Sequence, residues 1–393
     1  MKPVVLGLTA LSLLPGVALA SALVDARSGA MGGVGIASGN FTSADLNPAL
    51  LTRATEQQRF AMRLGVGAVI RDVDNTIDDV DQIQDTLDAF EAVIDRQDPN
   101  DLPEAQRLAE LAINQLEALD QANPTGSAEP ALGFYVPSQS LGFSLTLGAQ
   151  ARVDGRFHFD ESDRTVLEQA LQTGQFDQED ILSYADANAV VVSELKLGFA
   201  RLFNARGIGE FALGIAPKWQ RLDSYFYRAT VAEFDKDELT SDDNMTDSTQ
   251  FNLDLGLHKG YGPWQFGLVA QNLMGHSLRN VEQQTLKLKP SYTGAVAYQH
   301  NGFTAALDLD LAEDRSFEAF MLPSQWAKVG LEYDFGGHFQ LRGGYRSDLA
   351  SNHGDRATVG LGISPGRLVS LDLAGEFGDD DEYGVRLQLG LNF

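Results

Sequence analysis

Cysteine is absent from the 393 residues. In a chain that opens like an exported one, this excludes a disulfide framework, thiolate metal sites and every thiol mechanism. Cations are scarce: 29 Lys and Arg stand against 55 Asp and Glu, for a net charge of −26. A phosphate backbone would be repelled, and no basic cluster with interleaved aromatics occurs, so no nucleic-acid partner is expected. Past the N-terminus there is no uninterrupted apolar run of about 18 residues, which leaves no membrane-spanning helix. The N-terminus carries Lys2, an apolar stretch Val4–Leu14, Pro15-Gly16 and Ala18-Leu19-Ala20 before Ser21. This is the pattern of a signal peptide over residues 1–20 with a small-residue cleavage site.

What the chain has in quantity is period-two alternation. In the last segment Tyr383, Val385, Leu387, Leu389, Leu391 and Phe393 share one face, with Gly384, Arg386, Gln388, Gly390 and Asn392 on the other. Near the start Phe60, Met62, Leu64, Val66, Ala68 and Ile70 alternate with Ala61, Arg63, Gly65, Gly67, Val69 and Arg71. A strand between lipid and a polar lumen must read this way. Similar runs occur at 141–153, 191–202, 211–219, 251–258, 264–273, 286–298, 303–311, 326–335, 339–345, 357–363 and 369–377. With the short piece Ala131–Val136 the count is fourteen; if that piece is not a strand, the even number is twelve. The expectation is an all-β chain, a transmembrane antiparallel barrel. Short connections such as His300-Asn301-Gly302, Gly336-Gly337-His338 and Ser364-Pro365-Gly366-Arg367 alternate with long ones such as 229–249 and 312–324. Short periplasmic turns and long external loops alternate in that manner in outer-membrane barrels.

An insertion separates the first two strands. Val80, Ile83, Leu87, Phe90 and Ile94, then Leu108, Leu111 or Ala112, Leu116 and Leu119, recur at helical spacing around Pro99 and Pro103. The spacing predicts a helical hairpin within an external insertion at 72–130. That segment holds 16 acidic residues against 2 Arg. It reads as a solvated acidic cap, with a partner-binding or cation-binding arm as the alternative.

After residue 20 comes Gly29-Ala30-Met31-Gly32-Gly33-Val34-Gly35, followed by Asn47-Pro48-Ala49. The stretch resembles the N-terminal plug of the FadL-like outer-membrane superfamily, in which a small Gly-rich "GMGG" leads to an "NPA" turn before the first strand. Within that superfamily the chain is most similar to the outer-membrane family named for the conjugal transfer protein TraF, which shares the plug motif and the large insertion. The resemblance spans the chain after residue 20. It is sharpest at residues 25–51 and at Gly267-Leu268-Val269-Ala270-Gln271-Asn272-Leu273. It implies a plug at 21–56 within a barrel at 57–393, and passive uptake of small hydrophobic molecules. The TraF likeness implies the alternative, a non-transporting barrel for conjugal transfer or cell-envelope contact. A thioredoxin-like protein also called TraF exists, and zero cysteine excludes its chemistry. Physically, glycines allow backbone to pack closely inside the barrel, and Asn-Pro favours an abrupt turn.

The terminal strand, with Tyr383, Leu389, Leu391 and Phe393, resembles the signal read by the barrel-assembly machinery. The location expected is therefore the outer membrane of a Gram-negative bacterium, with its lipid and lipopolysaccharide as surroundings. Charges on the lumen faces include Arg63, Arg152, Glu194, Lys196, Asp254, Asp308, Asp310, Glu332, Arg342 and Arg386. Because both signs occur, ion pairing within a plugged barrel is the reading preferred over a selective conduction path. No catalytic residue, cofactor or metal is expected. The six histidines are scattered, His276-Ser277 lacks an oxyanion motif, and Asp379-Asp380-Asp381-Glu382 reads as a solvated loop tip before a Ca²⁺ site.

Overall fold

The computed structural model describes residues 25–53, 59–71, 76–120, 122–235, 238, 241–379 and 382–393. The signal-peptide expectation thus falls outside the described residues, as do both ends of the expected plug and Asp380-Asp381 of the acidic tip.

Fourteen antiparallel strands close into a barrel. In chain order they are β1 (Ala61–Arg71), β2 (Thr125–Val136), β3 (Gly142–His158), β4 (Tyr184–Ala205), β5 (Gly209–Thr230), β6 (Met245–Tyr261) and β7 (Trp264–Gln271). The hairpin β8 (His276–Arg279) and β9 (Thr285–Leu288) stands apart from the wall. The wall then resumes with β10 (Ser291–His300), β11 (Phe303–Asp310), β12 (Trp326–Asp334), β13 (Phe339–Asp348), β14 (Arg356–Ile363), β15 (Val369–Gly378) and β16 (Glu382–Asn392). Closure is made by β1 against β16, paired from Ala61↔Asn392 to Arg71↔Glu382. No edge is left open there, as a lipid-embedded sheet requires.

The alternation read from sequence is the inside-outside alternation of the wall. Leu64 and Val66 face outward, 51% and 38% exposed, while Arg63, next to Leu64, faces inward and is 3% exposed. Tight turns lie at the end where β1 begins and β16 finishes, here the terminal end; Asn301 and Gly302 take φ of 49° and 81° there. Long connections gather at the opposite, loop end. An aromatic rim marks the terminal end, where Phe60, Phe134, Phe393, Phe143, Phe199, Trp264, Tyr298, Tyr333, Phe335 and Phe339 pair ring against ring.

Several boundaries differ from the sequence reading. The run 286–298 is two elements, because Pro290 ends the β8–β9 hairpin before β10 starts. The piece read as Ala131–Val136 is the end of a twelve-residue strand from Thr125, so Pro130 belongs to the wall rather than to the insertion. Having no N–H to give, Pro130 sits where the β2–β3 ladder lapses, and Pro217 where the β4–β5 ladder does. Strands β4 and β5 run 22 residues each, about twice the length a bilayer crossing needs. Their extra turns of ladder project past the loop end, where period-two apolarity fades although the hydrogen bonds continue.

The insertion forms the two helices Thr76–Ile94 and Leu102–Leu119. A third helix, Ser162–Thr173, comes from the connection between β3 and β4. Ile83, Leu87, Phe90, Leu116 and Leu119 bury one core with Phe157, Leu167, Ile181 and Val231. Three connections distant in sequence therefore build one acidic head on the extended β3–β5 wall.

Candidate functional site

Residues 25–53 lie inside the barrel and make a circuit of its inner wall. The short helix Ala26–Ala30 packs on β13 to β16. The backbone then crosses β12 and β13 at Gly32, reaches β11 at Gly35 and Ile36, and passes β7 at Ile36. It returns beneath β1 to β3, where Thr42, Asp45 and their neighbours meet Arg63, Tyr135 and Thr146. Asn47, Ala49 and Leu51 lie against β6, β5 and β3 in turn. Asn47 caps the turn Pro48–Thr52 and spends its amide on the carbonyls of Ile36 and Leu257.

Two sets of glycines make this fit. On the plug, Gly32 and Gly33 have φ of +74° and +91°, and a Cβ at Gly32 would stand 2.8 Å from backbone atoms of Tyr345 and Val329. On the wall, a Cβ at Gly344 would stand 2.1 Å from the Gly32 nitrogen, at Gly330 2.4 Å from the Met31 carbonyl, and at Gly360 2.3 Å from Ala30. Gly214, Gly256 and Gly267 would collide in the same way with Ala49, Asn47 and Ile36. Glycine inside a strand costs stability and packing, and close approach of another backbone is one of its uses. The sequence reading singled out Gly29, Gly32, Gly33 and Gly35 and missed the wall glycines; the signal was glycine recurring on inward faces of β5, β6, β7, β12, β13 and β14.

Directional bonds hold the circuit in place. The Gly32 amide donates to Thr358 Oγ1 (2.8 Å), and those of Gly35 and Ile36 donate to Asp308 Oδ2 (2.8 and 3.0 Å). Arg27 forks onto Glu332 (2.8 and 2.7 Å), and Arg63 reaches Asp25 (3.4 Å). Burial alone would raise the Asp25 carboxyl, yet Arg63 with the Ser43 hydroxyl and Ser28 amide holds it below the ordinary Asp value. Burial keeps Asp45 above that value despite the attraction of Lys196. Arg53, wrapped by the carbonyls of Ala37 and Gly39 and the Gln299 side chain, is lowered by burial to about 10.

The remaining lumen charges stand in buried groups of both signs. Lys196 and Lys218 each lie 3.0 Å from Asp254, and Lys218 is 3.2 Å from Glu194. Arg342 joins Glu332 (2.7 Å) to Asp372 (2.6 Å). Glu376 collects Arg346, Arg356 (3.5 Å) and Arg386 (2.6 Å), and Arg386 also faces Glu129 (3.8 Å). Asp310 meets Lys328 at 3.2 Å. Arg152 stands away from them, exposed at the loop end beside Met321. Taking one partner from such a pair leaves an uncompensated buried charge, at about 3–5 kcal/mol.

Nearer the loop end the inner wall turns apolar. Val190, Val192 and Leu222 face inward and are covered by Leu278, Leu286 and Leu288 of the β8–β9 hairpin and by Phe317 and Phe320 of the 312–324 loop. Trp326 also faces inward, under the guanidinium groups of Arg346 and Arg356 at 5.1 and 5.0 Å.

Tyr383, Leu389 and Leu391 lie on β16 opposite Ile70, Leu64 and Met62, and the Phe393 ring is 6.0 Å from Phe60. His258 is buried against the plug, His276 bonds Ser248 (3.1 Å), and His353 bonds the Leu322 carbonyl (3.2 Å). Among the described residues no cluster of three metal-ligating side chains forms.

The family model described as "F plasmid transfer operon, TraF, protein" matches residues 45–310. The chain belongs to that TraF family. The matched region runs from inside the plug, through the acidic insertion, to the end of β11. Solved structures add the fold. The toluene transporter TbuX of Ralstonia pickettii is 11% identical with a TM-score of 0.56, covering 94% of this chain and 98% of its own. The toluene transporter TodX of P. putida is 14% identical with a TM-score of 0.53, over 94% and 98%. A Pseudomonas aeruginosa FadL homologue is 10% identical with a TM-score of 0.52, over 95% and 99%. No curated protein matches the chain. This TraF-family chain is a closed fourteen-stranded β-barrel of FadL-like fold.

Proposed function

We propose that this TraF-family barrel passes small hydrophobic molecules across the outer membrane by diffusion, with no catalytic step and with residues 25–53 as its inner closure. The observation that carries the reading is the apolar lining at the loop end of the lumen, where Val190, Val192 and Leu222 face inward. An aqueous pore presents polar side chains at such positions, whereas an apolar solute gains from this surface. The charges deeper in the lumen are paired with one another, so they offer ions little. The fold shared with the toluene transporters TbuX and TodX agrees with this use. In the cell the signal peptide would direct export and the terminal strand ending in Phe393 would be read by the assembly machinery, placing the loop end outside a Gram-negative cell.

The test is influx of a small apolar fluorophore into intact cells whose outer membrane excludes it. Expression of the chain should raise influx several-fold over an empty vector. Unchanged influx with correctly assembled barrel contradicts the proposal.

A second reading, a barrel for cell contact in conjugal transfer, is favoured by the acidic head, which has its own core. Replacing residues 76–119 by a short turn separates the two: influx persists under the first reading, and only mating efficiency falls under the second.

A further inference from the structure

The loop between β11 and β12 is a strap across the mouth. Asp314 and Ser324 exchange two backbone hydrogen bonds, of 2.7 and 3.0 Å, and pinch its base into a neck. Beyond the neck it passes over the β8–β9 hairpin, where the Phe317 amide donates to the Lys287 carbonyl (2.8 Å) and Lys289 pairs with Glu318 (2.8 Å). It then reaches β3, six places away in a ring of fourteen strands. There Arg156 Nη2 donates to the Phe320 carbonyl at 3.1 Å, and Arg152 stands 3.9 Å from the Met321 sulfur. On the far flank Asn352 Nδ2 donates to the Pro323 carbonyl (2.9 Å). The strap thus spans the lumen and is fastened on three sides.

Its underside is apolar. The rings of Phe317 and Phe320, each 5% exposed, stack 6.3 Å apart at 23° and sit on Val190, Val192 and Leu222. Beyond the neck and the bonds at Phe317, Phe320, Leu322 and Pro323, its burial comes from side chains that another apolar body could replace.

We propose that residues 312–324 are a second closure in series with the plug, and that Phe317 and Phe320 occupy the seat an incoming small apolar or aromatic solute takes. The proposal deepens the transport reading and rests on it. Entry then begins with exchange: the solute replaces the two rings, and the strap swings on the Asp314–Ser324 neck.

The experiment is ion conductance in planar bilayers of four heat-modifiable, folded forms: the intact chain, F317A/F320A, a deletion of 25–45, and the two combined. If the deletion misfolds, Gly344→Leu takes its place as the plug lesion. Expected are single lesions within about threefold of the intact chain and a combined form at least tenfold higher. A plug lesion that alone reaches the combined conductance means the strap seals nothing and overturns the proposal. Strap variants that alone reach it overturn the series arrangement through the plug, and with it the gate of the transport reading. A combined form as closed as the intact chain overturns both closures.

Discussion

The two ends of the lumen are closed by opposite chemistry. At the plug, backbone meets backbone through glycines such as Gly32 and Gly344, and named hydrogen bonds and ion pairs fix the position. At the strap, phenyl rings rest on aliphatic side chains, with the directional contacts confined to the edge. A backbone-to-glycine fit is specific and tolerates no added atom; an apolar contact is tolerant and can be exchanged for a solute. The first suits a closure that must stay in register with the wall, and the second suits one that a hydrophobic molecule should open.

Adding atoms to the wall beneath the plug should have the largest effect. Gly344→Leu places carbon where the Gly32 nitrogen and Met31 carbonyl now lie. Because Gly344 faces inward, the β12–β13 and β13–β14 ladders survive. Trypsin added to folded, detergent-solubilised protein should then cut at Arg27 or Arg53 at least tenfold faster than in the parent, while the barrel remains heat-modifiable. Cleavage at the parental rate would mean the wall glycines do not position the plug.

A smaller effect is expected from charge. Asp25→Asn leaves Arg63 buried without its carboxylate and should weaken plug docking by roughly 3 kcal/mol. The pH dependence has a definite sign. With its docked pKa held below the ordinary value, Asp25 contributes docking stability above that ordinary value and loses it as pH falls through the lowered one. Asp45, raised by burial, acts in the opposite direction: its contribution is present at low pH and lost as pH rises through its docked value. Cutting of the parent by pepsin, which unlike trypsin is active in acid, should therefore accelerate as pH falls, relative to an unfolded substrate, only if Asp25 dominates, and Asp45→Asn should enlarge that acceleration. Acid-accelerated cutting that is unchanged in Asp25→Asn contradicts the assignment.

Much of the wall was legible because lipid on one side and polar contents on the other impose a period of two. Fourteen strands, their faces and their alternating connections follow from that one constraint. The plug was legible as Gly29–Gly35 and Asn47-Pro48-Ala49, motifs carried by local backbone needs. What could not be read depends on contacts distant in sequence. Gly330, Gly344 and Gly360 show their purpose only when residues 30–32 lie against them. Phe317 and Phe320 looked like ordinary loop residues because the surface they cover belongs to β4 and β5. Trp326 shares the inward parity of Lys328 and Glu332 on β12, and the stacking of Arg346 and Arg356 on its ring joins residues of three strands. Strand β9 was merged with β10 because Leu286 and Leu288 continue the same alternation across Pro290, and β8 was left in a loop.

Amide hydrogen exchange in the folded parent protein tests most directly the claim that residues 25–53 are docked in the lumen. The amides of Gly32, Gly35 and Ile36 donate to side chains of Thr358 and Asp308 on the inner wall. These amides should be protected to within about tenfold of ladder amides in β12 and β13, both slowed by orders of magnitude relative to free chain. Exchange of these three amides at free-chain rates, with the ladders still protected, would show that the segment does not occupy the lumen.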